Sequence, residues 1–93
     1  SFQDMINNGI TINVTIKNVE NFRMQKAVRK AIGELSDVVS VNKRSFGGGQ
    51  LNVSVLYKGT ADSFSEAVDA KAVGGKRLSV TDIAGSRVAI ELE

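Results

Sequence analysis

Between residues 10 and 58 the hydrophobic pattern changes its period from two to about 3.6 and back to two, which commits the chain to a sheet with a helix laid on it. Ile10, Ile12, Val14 and Ile16 alternate with Thr11, Asn13, Thr15 and Lys17, the mark of a strand with one buried face. Over 21–35, Met24, Ala27, Val28, Ala31, Ile32 and Leu35 recur at helical spacing, with Arg23, Lys26, Arg29 and Lys30 off the stripe. Asn18 or Asn21 is placed to cap this helix, and Ser36-Asp37 breaks it. Residues 38–46 read as a second strand. Over 50–58 a third follows, where Leu51, Val53, Val55 and Tyr57 alternate with Asn52, Ser54, Leu56 and Lys58. Gly47-Gly48-Gly49 between the two predicts a hairpin turn.

The second half repeats the change of period. Residues 62–73 predict a helix: Ser63 and Glu66 have capping-box spacing, Phe64, Ala67, Val68 and Ala72 supply an apolar face, and Gly74-Gly75 ends it. Strands at 77–83 and 87–92 follow around Ala84-Gly85-Ser86, and Val88, Ile90 and Leu92 alternate with Ala89 and Glu91. Residues 1–8 are polar and patternless and read as a linker or disordered start, leaving 9–93 as one domain. The order is β-α-β-β-α-β with an added C-terminal strand. Its expected closure is a ferredoxin-like α+β sandwich, a four-stranded antiparallel sheet with two helices on one face plus the extra strand.

Composition removes most chemistry. A chain of 93 residues without Cys has no disulfide or thiolate metal site, and without His it lacks the commonest general base and metal ligand. The acidic residues are scattered without calcium-loop spacing, and Glu91 and Glu93 mark a strand end rather than an acid/base dyad. No Ser stands in a G-x-S-x-G turn. The three glycines lead into a strand, so no helix N-terminus is offered to a phosphate. The sequons at Asn13 and Asn52 lie inside strands, where chance accounts for them. No catalytic residue, metal or cofactor is expected. The net charge of +2, from 12 basic and 10 acidic residues, forms no basic stripe, so nucleic acid is not an expected partner. No stretch approaches the ~20 apolar residues of a membrane span. No signal peptide is visible and the chain begins at Ser1, as a fragment or processed product would.

A sheet covered on one face leaves the other open. The alternation places there Thr11, Asn13, Thr15 and Lys17; Ser40, Asn42 and Arg44; Asn52, Ser54 and Lys58; and Arg77, Ser79 and Thr81. The ordinary reading is a solvated face. The sharper one is a docking surface for another domain or subunit, with Thr11, Asn13, Thr15, Asn42, Arg44, Asn52, Ser54 and Ser79 as candidate contacts. RNA-binding domains use the same face, but they stack bases on aromatics of the central strands. Here the first strand has none, and Tyr57 shares the inward parity of Val53 and Val55.

Three resemblances follow from the motifs. Phe22-Arg23 at the first helix and Asn42 in VSVN resemble the Phe-Arg and Asn of acylphosphatases. That likeness implies Arg23 for phosphate binding and Asn42 for orienting water. Val19 and Glu20 stand where that family's loop carries small residues, and Glu20 opposes an anion. Val19–Val68 resembles heavy-metal-associated domains in element lengths, without their two-cysteine loop. The stretch from Ile10 to Leu92 resembles C-terminal domains of bacterial envelope lipoproteins and of flagellar or curli-type assembly proteins. The likeness lies in VTIKNVENF, VVSVNKRSFGGGQLNVSV, TADSFSEAV and LSVTDIAGSRVAIEL. It implies a noncatalytic assembly or anchoring role in the periplasm or at the outer membrane, with other protein domains or subunits as partners. The alternatives are a small-ligand regulatory domain, which would act as a homo-oligomer, and a degenerate acylphosphatase-like hydrolase.

Overall fold

The computed structural model describes residues 9–93, and the linker expected over 1–8 lies outside the described residues. The elements are β1 (Ile10–Lys17), α1 (Phe22–Gly33), β2 (Val38–Gly47), β3 (Gln50–Tyr57), α2 (Ala61–Val68), β4 (Ala72–Val73), β5 (Lys76–Ala84) and β6 (Arg87–Leu92).

Local chemistry sets their limits. Asn21 caps α1: its side-chain oxygen accepts from the Met24 N–H at 2.8 Å, satisfying a donor the helix cannot use internally. Asn18 instead takes a left-handed φ of 66° and donates to Glu91 Oε1 at 3.0 Å. Between β2 and β3, Gly48 and Gly49 have φ of 60° and 77°, the double left-handed turn that matches strand twist and suits glycine. Thr60, not Ser63, caps α2. Its Oγ1 accepts from the Ser63 N–H and Ser63 Oγ accepts from the Thr60 N–H, each at 3.0 Å, so the capping box starts three residues before the Ser63–Glu66 frame.

The helix expected over 62–73 ends at Val68 because β5 captures the chain beyond it. Ala70 N–H donates to the Leu78 carbonyl, Leu78 N–H to that of Lys71, and Val80 N–H to Asp69 Oδ1. Gly74-Gly75 therefore turns the β4–β5 hairpin, where Val73 pairs with Lys76, and caps no helix. Ala67 and Ala72, expected on the apolar helix face, are exposed. Ser65 is buried instead and donates to the Ala61 carbonyl at 2.8 Å.

The expected ferredoxin-like sandwich is not formed. The sheet has six strands in the order β2-β3-β1-β6-β5-β4, is mixed rather than antiparallel, and curls into a half-barrel. β1 pairs antiparallel with β3 and parallel with β6, while β5 pairs with β6 and not with β1. The reading of four strands plus an added terminal one fails because the terminal strand is inserted at the centre. The physical reason lies in the two candidates for the place beside β1. In β6, Val88, Ile90 and Leu92 all point into the core and are at most 2 % exposed. In β5, residues beyond Val80 are exposed, and a bulge interrupts pairing between Val80 and Asp82. The strand with the unbroken apolar face takes the interior position, where burial is greatest. Two further bulges in β2, at Val39 and Arg44, add local twist consistent with the curl.

One core joins the inner face of the sheet to both helices. Ile12, Val14 and Ile16, Leu51, Val53, Val55 and Tyr57, and the β6 residues meet Val28, Ala31 and Ile32 of α1 and Phe64 and Val68 of α2. Tyr57 points inward as its parity predicts and packs edge-on against Phe64, with centroids 5.3 Å apart at 75°. Gln25 is a fully buried polar residue of α1; its Oε1 accepts from Arg29 Nη2 at 3.0 Å.

Candidate functional site

Strand register decides which side chains of the open face become neighbours. Asn42 pairs with Ser54, Ser54 with Asn13, and Asn13 with Arg87, one row across β2, β3, β1 and β6. In the next row Ser45 pairs with Asn52, Asn52 with Thr15, and Thr15 with Ala89. Arg44 is the extra residue of the bulge between Lys43 and Ser45. Its side chain crosses β3 and donates from Nη1 to Asn13 Oδ1 at 2.8 Å.

The second row is tied together by its own side chains. Thr15 Oγ1 donates to Asn52 Oδ1 at 2.9 Å, and Asn52 Nδ2 donates to Ser45 Oγ at 2.9 Å. Gln50 Nε2 reaches the same Asn52 oxygen at 3.4 Å. A recess of about 390 Å³ opens above this network, lined chiefly by Asn13, Thr15, Arg44, Ser45, Asn52 and Arg87. Its charged lining residues are the two arginines, and no carboxylate belongs to it.

Of the expected contacts, Asn13, Thr15, Arg44 and Asn52 thus come together, and Ser54 and Asn42 continue the row at their side. Thr11 lies on β1 opposite Leu56, next to the row of Asn13 and exposed. Ser79 is set apart on β5, opposite Glu91. Arg23 and Asn42, the pair implied by the acylphosphatase likeness, are not brought together. Arg23 is exposed on α1, on the helical side of the sheet, and Asn42 belongs to the open face.

Ser45 and Arg87 were not among the expected contacts. Alternation through Ser40, Asn42 and Arg44 assigns Ser45 to the inner face, but the bulge sets both Arg44 and Ser45 against Asn52. No signal in the linear pattern marks that bulge. Arg87 reaches the site because β6 lies beside β1, which local periodicity does not encode.

Elsewhere the surface divides by charge. The solvent side of α1 carries Arg23, Lys26 and Lys30, with Phe22 61 % exposed beneath the Lys26 ammonium at 5.9 Å from its ring centre. The α2 side carries Asp62, Glu66 and Asp69. Among the described residues no group of three or more His, Cys, Asp or Glu could hold a metal ion. Within them no helix is long and apolar enough to cross a membrane. Compared with family models, curated proteins and solved structures, the chain finds no match in any of the three.

Proposed function

We propose that the domain is a noncatalytic protein-interaction module of a larger bacterial envelope protein, and that it docks other protein domains or subunits through the open face of its sheet. The observation that carries this is the convergence on one recess of Asn13, Thr15, Arg44 and Asn52, held by two separate sets of hydrogen bonds, Arg44 to Asn13 and Thr15 to Asn52. Side chains of this kind suit an interface. Asn, Ser and Thr are short, so fixing them costs less entropy than fixing Lys or Glu, and their amides and hydroxyls can exchange water for partner groups. The envelope setting is drawn from the sequence resemblance running from Ile10 to Leu92.

Ser54 is half-buried on this face, between Asn13 and Asn42, and Ser54→Tyr would raise a bulky obstacle there. Tagged wild-type domain and this variant are to be compared for capture of proteins from the source organism's envelope fraction. A discrete protein held by the wild type and lost from a variant with an unchanged melting curve is the expected result. Equal capture by both, or capture lost only on Lys26→Glu or Glu66→Lys, moves the docking surface off this face.

A further inference from the structure

The recess on the open face is asymmetric in its hydrogen-bonding groups. A guanidinium can only donate, so the contact from Arg44 fixes the Asn13 amide with its oxygen toward the arginine. The Asn13 Nδ2 donors are left without an acceptor among the described residues. The Asn52 oxygen is likewise occupied, by Thr15 and Gln50. Ser45 Oγ accepts from Asn52 Nδ2, which leaves its own O–H free to donate. Both amide oxygens are thus engaged, while the Asn13 amide N–H groups and the Ser45 hydroxyl proton remain as donors.

Charge points the same way. Arg44 lies over β1 at Asn13, and Arg87 is the register partner of Asn13 on the adjacent strand, about 4.8 Å away in the pairing direction. Two guanidinium-bearing residues thus flank one recess that holds no acid. An anion seated in the recess could accept from both.

We infer that this recess takes the carboxylates of an acidic protein segment, an inference that rests on the open face being the docking surface. Each guanidinium offers the paired N–H geometry that a carboxylate accepts in parallel. The recess donors named are side chains, whereas phosphate is typically cradled by backbone N–H groups in a nest or at a helix N-terminus. No aromatic among the described residues of the open face is available for a nucleobase to stack on. An extended segment laid across the strands would set acidic side chains against Arg44 and Arg87 and its amides against Asn13, Ser45 and Ser54.

The probe is a blocked hexaglutamate peptide, titrated into the domain and followed by amide chemical shifts. The expected response is saturable shifts at Asn13, Thr15, Ser45, Asn52 and Arg87, weakened by added salt. Arg44→Gln and Arg87→Gln should each weaken binding by about tenfold, the scale of one charge-assisted hydrogen bond. Both variants should melt with the wild type, since the side chains are exposed. Shifts confined to the basic side of α1, or affinity unchanged in the double variant, overturn the inference. So does preference for inorganic phosphate or an oligouridylate over the peptide, and so does occupation of the recess by a second copy of the chain, read from sedimentation at high concentration. If Ser54→Tyr abolishes partner capture while hexaglutamate fails to bind, the docking surface stands and its acidic occupant does not.

Discussion

At the scale of single residues, the decisive fact is that side chains alternate along a strand, so neighbours in sequence have opposite fates. Val53 is 1 % exposed in the core, while Ser54 beside it faces outward in the row of Asn13 and Asn42. Val53→Ala removes two buried methyl groups and is expected to cost about 2 kcal/mol, through lost burial and the cavity left behind. Ser54→Ala is expected to stay within about 0.5 kcal/mol. Thermal unfolding of the two variants side by side checks the assignment of faces, and greater damage from Ser54→Ala would reverse it. Ile32, fully buried on α1, tests the helical side of the same core: Ile32→Ala should cost about 2–5 kcal/mol in denaturant unfolding. Parity along β1 and β3 was legible because polar and apolar residues alternate there with a single exception, Leu56. Parity at Ser45 was not, because the bulge at Arg44 belongs to the pairing of β2 with β3 and leaves no mark in the linear pattern.

At the scale of elements, most strands and α1 could be read from periodicity, and the errors cluster at ends where a tertiary partner competes with local preference. The α2 region is the clear case. Its sequence permits a helix through to the glycines at 74 and 75, yet hydrogen bonds from the chain at Asp69, Ala70 and Lys71 to β5 end it at Val68. With only eight residues, α2 is too short to be stable by itself, so its cap and its packing have to hold it. Thr60→Ala removes the acceptor for the Ser63 N–H and is expected to cost about 1 kcal/mol. Ser63→Ala, which removes the reciprocal acceptor, should also destabilise. By contrast, Glu66→Ala should leave the melting temperature nearly unchanged, since Glu66 is exposed and outside the capping pair. A larger loss from Glu66→Ala than from Thr60→Ala would restore the later capping frame.

At the scale of the whole molecule, the position of β6 governs both stability and the site. It contributes Val88, Ile90 and Leu92 to the core, joins β5 to β1, and brings Arg87 to Asn13. A terminal strand at a sheet edge could be trimmed at modest cost; one between two partners cannot. Truncation after Ala84 is therefore expected to abolish cooperative unfolding, and in the intact domain hydrogen exchange should be slowest in β1, β3 and β6, the most enclosed strands. A truncated chain that still melts in a sharp transition near the wild-type temperature would contradict this placement. What the sequence determined by itself is what short-range periodicity and chemistry carry: α1 and the strand segments other than β4, the inward and outward sides of β1 and β3, and the absence of cysteine and histidine chemistry. Tertiary structure decided the order of the strands, the end of α2, the bulges, and hence the placing of Arg44 and Arg87 on one recess. Those outcomes arise from pairing between segments far apart in the chain: β6 rather than β5 beside β1, β5 on the chain after α2, and β2 against β3. The pattern within any one segment states that it has an apolar face, and not which neighbour will cover its edge.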